Sequence, residues 1–354
     1  MRVAIITDTH FGGKNDNVSF AHYQARFYGG TFFPICRREK VDTILHLGDT
    51  FDRRKYCNHH SLHLAKEMFF DPARDYKVHM LVGNHDAYYK NDNFVNTPTL
   101  VLGEYDNINI YPSLPEVINL DGSDVLMIPW IAPAQYAEAV EIIKKAKADV
   151  AMGHLEVNGN EMMPGLVCDH GLDRDLFQRY ERVFSGHYHG QQDDGHIRYL
   201  GAPYEITWND YNTAKGFHIY DTATREFEFY QNPNRLFKKI FYHDGHSCDE
   251  MLNMDLSEYC GSYVKIFVVQ KTDFYAFDKF VDKCYNEGEF FELKIVEDFS
   301  DLDPNTIADS ELEDVEDTLT LLEKYVDEID SRLLDKNKLN RLLKGLYVEA
   351  QEVE

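Results

Sequence analysis

Short apolar runs that each end in a polar cluster recur through the first 237 residues: Val3 to Thr7, Thr43 to Leu47, Lys77 to Val82, Val125 to Ile128, Asp149 to Gly153 and Arg182 to Ser185. Runs of this length without polar alternation predict buried strands, and the helix-like stretches between them predict an α/β domain over 1–237. Past Asn232-Pro233-Asn234 the pattern changes. Apolar-rich runs at 263–269 and 290–296 flank a helix-like 274–285, which predicts a small α+β domain over 238–300. Beyond Asp301, Val315, Leu319, Leu322, Val326, Ile329 and Leu333 recur at spacings of 4 and 3 and lie on one helix face. A second stripe, Leu339, Leu342, Leu343, Leu346 and Tyr347, predicts another helix, so 301–354 reads as an acidic linker and a helical tail. The stripes fit packing on their own domain as well as they fit a partner.

Composition supports a folded chain: 44% of residues are hydrophobic and 14% aromatic, enough for a sizeable core. No stretch approaches 18 uninterrupted apolar residues, and Arg2-Val3-Ala4-Ile5-Ile6 reads as a strand, not a signal peptide, so a cytosolic protein with no membrane contact is expected. Cys36, Cys57, Cys168, Cys248, Cys260 and Cys284 show no C-x-x-C spacing and are expected as reduced thiols. The net charge is −25, and 301–354, with 16 acidic and 6 basic residues, holds −10 of it. Such acidity is not the footprint of a protein that holds nucleic acid by its overall field, so any DNA contact must rest on bound cations and local patches.

The candidate chemistry sits at the ends of the strand-like runs. Asp8-Thr9-His10 places a carboxylate and an imidazole two residues apart, on one side of an extended backbone, where both reach one ion. Gly48-Asp49-Thr50-Phe51-Asp52 offers a carboxylate able to bridge two cations, next to a glycine that permits close backbone approach. Gly83-Asn84-His85-Asp86, Gly153-His154 and Gly186-His187-Tyr188-His189 follow. Singly these are common turns and surface histidines; together, each at a strand's C-terminal end, they converge on the crevice where open α/β sheets bind ligands.

The ordered set D-x-H, G-D-x-x-D, G-N-H-D, G-H and G-H-x-H resembles the calcineurin-like metallophosphoesterase superfamily over residues 8–189. Within it the chain looks like the SbcD-type nuclease subunits of double-strand-break repair complexes, above all the recombination endonuclease subunits of tailed bacteriophages. The run at 48–55, Ile128-Pro129-Trp130, the small domain and the helical tail support this. The resemblance implies a metallophosphoesterase β-sandwich flanked by helices, with a small capping domain and a C-terminal helical tail. It implies that Asp8, His10 and His189 hold one metal, that Asn84, His154 and His187 hold another, that Asp49 bridges them, and that His85 is catalytic, facing the scissile phosphate. The chain departs from many cellular members, which carry His where Asp52 stands, so Asp52 is expected to orient a neighbouring group or to lie on the surface.

The activity so implied is metal-dependent hydrolysis of DNA, exonucleolytic and single-strand endonucleolytic. Paired cations neutralise the departing oxyanion and activate the nucleophile. Oxygen and imidazole ligands without thiolate favour two Mn²⁺, with Mg²⁺, Fe²⁺ and Zn²⁺ as alternatives. Arg53-Arg54-Lys55 either contacts DNA phosphates or is a solvated cluster. The resemblance further implies an SMC-like coiled-coil ATPase partner on the C-terminal helices and a homodimer, for which Leu62, Leu64, Met68, Phe69 and Phe70 offer more apolar surface than one helix face needs; core packing is the competing role. Hydrolysis of small phosphodiesters or phosphoproteins by the same metal box is the alternative function. A scaffold without activity is disfavoured by the full ligand set.

Overall fold

A computed structural model describes residues 1–163, 166–169, 171–245 and 248–296 and the single positions 326, 336, 338, 339, 342 and 343. The chain divides into two compact units, 1–237 and 238–354. The stripe at 315–333 and nearly all of the tail lie outside the described residues.

The strands of the first unit are β1 (Arg2–Ile6), β2 (Thr43–His46), β3 (Lys77–Leu81), β4 (Ile108–Tyr111), β5 (Glu116–Leu120), β6 (Ser123–Ile128), β7 (Val150–His154), β8 (Glu161–Met163), β9 (Leu166–Val167), β10 (Arg182–Gly186), β11 (Gln192–Asp193), β12 (Ile197–Tyr199), β13 (Gly216–Asp221) and β14 (Phe227–Gln231). They form two six-stranded sheets, in the orders β14-β13-β1-β2-β3-β4 and β11-β12-β10-β7-β6-β5, beside a small β8-β9 ladder. In the first sheet β1 to β4 run parallel. In the second, β6, β7, β10 and β12 do. Parallel strands put their C-terminal ends on one edge, which is what gathers the candidate motifs.

Period-two alternation explains why the sheets stack. Val3 and Ile5 of β1 share one apolar cluster with Val125, Met127, Val150, Met152 and Phe184 of the other sheet, which makes a β-sandwich. The intervening Leu126, Ile128, Ala151 and Val183 face the opposite way and pack with Ile143 of the helix Tyr136–Lys145. A layer of buried aromatics covers the outer face of the first sheet, with Tyr28 and Phe69 rings 5.2 Å apart and Phe32 and Phe217 rings 4.7 Å apart. Phe69 and Phe70 belong wholly to this layer and take the core-packing role, one of the two readings of this segment; the half-buried Leu62, Leu64 and Met68 leave the dimer role open. The helix Val18–Phe27, which carries part of the layer, begins where the Asn17 side chain accepts the Phe20 N–H at 3.0 Å.

The second unit contains a sheet of β15 (Phe237–His243), β16 (Tyr263–Gln270) and β17 (Glu292–Val296) in that order. β16 and β17 are parallel, joined through the helix Phe274–Glu287, whose Phe277, Phe280 and Cys284 pack with Val264 and Ile266. The five cysteines described as free are Cys36, Cys57, Cys168, Cys260 and Cys284. No described helix is long and apolar enough to cross a membrane.

Candidate metal centre

Beyond β1 the backbone is not extended. Asp8 and His10 sit at φ 52° and 43°, and Asp49 and His187 at 50° and 85°. The carboxylate and imidazole of Asp8-Thr9-His10 therefore meet through left-handed turns and not through strand alternation, a conformation costing roughly 1–3 kcal/mol per residue. Tertiary bonds hold it. The loops after β1 and β2 run on side by side, with Asp8 N–H donating to Gly48 O at 3.0 Å, His10 N–H to Asp49 O at 3.1 Å and Phe11 N–H to Thr50 O at 2.9 Å. Behind them lies buried His46. The Thr9 hydroxyl donates to Thr50 O at 3.1 Å, so His46 Nε2, 2.9 Å away, donates to that hydroxyl, and His46 Nδ1 accepts the Gly48 N–H at 3.3 Å. Asp86 ties in the third loop by accepting from the N–H groups of Gly83 (2.9 Å), Thr50 (3.1 Å) and Phe51 (2.9 Å).

All eight candidate residues come together. Asp8, His10 and His189 place ligand atoms within 4.8 Å of one another, as do Asp49, His154 and His187. Asn84 Oδ1 lies 2.9 Å from both His154 Nε2 and His187 Nδ1. Asp49 Oδ2 lies 3.3 Å from His154 Nε2 and 3.8 Å from His10 Nε2, while its Oδ1 accepts the His85 N–H at 2.8 Å.

Proton positions make this a cation site. His10 Nδ1 meets Asp52 Oδ1 at 3.1 Å, His154 Nδ1 meets Leu47 O at 2.8 Å, and His187 Nε2 meets Glu156 Oε1 at 3.1 Å. Each contact is to an acceptor, so each of these nitrogens carries a proton and, in the neutral ring, the opposite nitrogen presents a lone pair. Those lone pairs point at Asn84 Oδ1, at Asp49 Oδ2 and, across 3.2 Å, from His10 Nε2 to His189 Nε2. An imidazole lone pair facing the oxygen of Asn84 or Asp49 is repulsive unless positive charge lies between them. Two of the rings show the same demand: burial opposes charging them, yet Asp52, Asp49 and Asp8 push His10 up to about 9, and Asp49 and Asp8 push His154 up to about 9. Burial, aided by His10, pulls His189 down to about 4. The donor set fits metal cations.

His85 differs from the ligands. Its Nδ1 donates to Asp52 O at 2.7 Å, and its ring stands edge-on to His10 with centroids 4.9 Å apart. Burial lowers its pKa, so the metal-free ring is neutral. Asp52 thus orients two imidazoles, His10 through its carboxylate and His85 through its carbonyl.

Two residues of the centre carry no signal in the sequence. Lys215, only 2% exposed, donates to His189 O at 2.7 Å and to buried Asp210 at 2.5 Å, and Asp210 accepts the N–H groups of Ile206 and Thr207. This pair anchors the turn that bears His189. Lys215→Met should destabilise the protein by about 3–5 kcal/mol, because it strands a buried carboxylate. Urea unfolding would read that loss, and metal titration should show weaker binding in the variant; unchanged values for both would make the pair incidental.

A family model described as calcineurin-like phosphoesterase matches residues 1–191. The chain is 30% identical to Exonuclease subunit 1 of Enterobacteria phage T4 over 358 residues, which span 99% of this chain and 100% of that one. It is 24% identical to the DNA double-strand break repair protein Mre11 of Sulfolobus acidocaldarius over 42% of this chain and 38% of that one. It is 22% identical to a subunit of the nuclease SbcCD of Staphylococcus saprophyticus over 64% and 67%.

Proposed function

This chain belongs to the calcineurin-like phosphoesterase family, and from that premise we propose that it is a two-metal DNA nuclease, the hydrolytic subunit of a recombination or break-repair complex. One observation carries the hydrolytic part: lone pairs of His10, His154 and His187 turned onto acceptors around a single shared carboxylate, Asp49. The full-length likeness to a phage exonuclease subunit supports DNA as the substrate.

Asp8, His10 and His189 would hold one cation and Asn84, His154 and His187 the other, with Asp49 between. Bound there, a cation pair neutralises phosphate charge and supplies an activated nucleophile. The chain's own residues set the geometry. Asp52 fixes the His10 and His85 tautomers, Leu47 O fixes His154, and Glu156 fixes His187. Because Nδ1 of His85 is committed to Asp52 O, its Nε2 is the position that takes up a proton as the anionic phosphodiester approaches and passes it to the leaving oxygen. Oxygen and imidazole donors without thiolate suit Mn²⁺, with Mg²⁺, Fe²⁺ and Zn²⁺ as the ions to compare.

The test is cleavage of labelled single- and double-stranded DNA by purified protein with each ion or with EDTA. Metal-dependent cleavage abolished by EDTA is expected, with Mn²⁺ the most effective. Hydrolysis of small phosphodiesters or phosphoproteins without any DNA cleavage would replace this function with the alternative one.

The partners follow from the same premise. An SMC-like ATPase is assigned to the apolar sequence stripes at 315–333 and 339–347, a homodimer to the half-buried Leu62, Leu64 and Met68, and the cytoplasm as location, within the host if the source is viral. Deletion of 310–354 should abolish co-purification with the ATPase, and sedimentation at micromolar concentration should give a dimer.

A further inference from the structure

The loop that leaves the metal centre is fixed internally, yet it holds three aromatic side chains, Tyr88, Tyr89 and Phe94, open to water. Its start is anchored by Asp86, Ala87 bridges Asn96, the Tyr88 N–H donates to Val95 O at 2.9 Å, and the Thr97 N–H donates to Asp86 O at 2.9 Å. Asn93 and Asn96 are buried beneath, donating to Trp130 O at 2.9 Å and to Asn93 O at 3.0 Å. Tyr88 and Tyr89 are nevertheless 41% and 49% exposed, their rings edge to face at 4.7 Å. Folding of the loop does not require them there.

Cations lie on the neighbouring loop. The Arg53 guanidinium, which also meets Asp16 at 3.8 Å and donates to Asn15, sits 4.8 Å from the ring of Tyr56, itself 56% exposed, and that of Arg54 sits 5.4 Å from the ring of Trp130, whose carbonyl holds Asn93. Arg53 directly follows Asp52, the residue bonded to His10 and His85. Tyr88 is three residues from His85, so their Cα atoms are within about 11 Å. Rings and guanidinium groups thus lie on the two loops that leave Asp52 and His85.

We propose that Tyr88 and Tyr89, together with Arg53 and Arg54, form a rim that stacks on the unpaired bases of single-stranded DNA beside the scissile phosphate. This rests on the nuclease function proposed above. A tyrosine face binds any base without reading its edge, whereas bases in a duplex are already stacked on one another and offer no free face. Guanidinium groups supply the phosphate contacts. With a net charge of −25 the molecule cannot gather DNA through its overall field, which leaves such local contacts to supply affinity.

The test compares the full-length wild type with Tyr88→Ala/Tyr89→Ala and Tyr88→Phe/Tyr89→Phe, all metal-loaded. It measures binding and cleavage of a fluorescent oligothymidylate and of a blunt duplex, with hydrolysis of bis(p-nitrophenyl) phosphate reporting the metal centre. The alanine pair should lose tenfold or more in single-strand affinity and less than twofold on duplex, with small-diester hydrolysis unchanged, and the phenylalanine pair should keep wild-type affinity. Unchanged single-strand affinity, an equal loss on both DNAs, or the same loss with phenylalanine overturns the rim. Conversion of a dimer to monomer with single-strand affinity intact overturns it in favour of a protein contact. Wild type that hydrolyses the small diester but neither binds nor cuts any DNA overturns the nuclease function itself, and the rim with it.

Discussion

His85→Ala should lower kcat on DNA by about 10²- to 10⁴-fold, the range for loss of a positioned proton donor, while bound metal stays at the wild-type level. The substitution is local because the backbone N–H of residue 85, which donates to Asp49 Oδ1 at 2.8 Å, survives it. Only the ring goes, and with it the bond to Asp52 O. In energy the expected loss is roughly 3–5 kcal/mol of transition-state stabilisation. Leaving-group dependence separates proton donation from simple charge stabilisation. A p-nitrophenyl ester, whose leaving oxygen departs without a proton, should suffer far less than DNA. Equal losses on both substrates would remove His85 from the role of acid.

Gly83→Ala should dismantle the metal centre without replacing a single ligand. A Cβ at position 83 would land on the Asp49 carboxylate and its backbone N. Neither is a flexible chain end, since Oδ1 of that carboxylate is held by the His85 N–H and Oδ2 faces His10 and His154. Relief requires the loops after β2 and β3 to part, at a cost of about 1–3 kcal/mol, occasionally more. Gly30→Ala is the matched control, because nothing lies within 4 Å of a Cβ there and its segment Tyr28–Phe32 is helical. It should be neutral or stabilising by roughly 0.5–1 kcal/mol. Metal content and thermal unfolding of the two variants read the contrast; a Gly83→Ala protein that binds metal as tightly as wild type would show that the two loops are not packed as described.

Six strands and the candidate ligands were legible because buried strands are written as short apolar-rich runs, and five of these runs lead into an Asp, Asn or His, whereas Val125 to Ile128 leads into Pro129-Trp130. What escaped the sequence depends on contacts between distant segments. The left-handed turns at Asp8 and His10 are imposed by bonds to Gly48 O and Asp49 O, more than 35 residues along the chain. Lys215 reads as a lone lysine in a polar loop, and only the fold reveals that its ammonium is buried against His189 O and Asp210. His46 reads as the end of a strand, although it links Thr9 to Gly48. Phe69 and Phe70 fit a core or a dimer face in the sequence, and only the fold decides for the core, where Phe11 and Tyr28 meet Phe69 and Phe51 stacks on Phe70. The β-sandwich itself came from the family resemblance and not from periodicity, because a continuous apolar run does not say which sheet a strand joins.

Crystals soaked in Mn²⁺ and measured at an anomalous-scattering wavelength would locate the cations directly. The expected result is two peaks, one among Asp8, His10 and His189 and the other among Asn84, His154 and His187, with Asp49 touching both. A single peak, or density bound away from these seven side chains, would contradict a two-metal phosphodiesterase at this site.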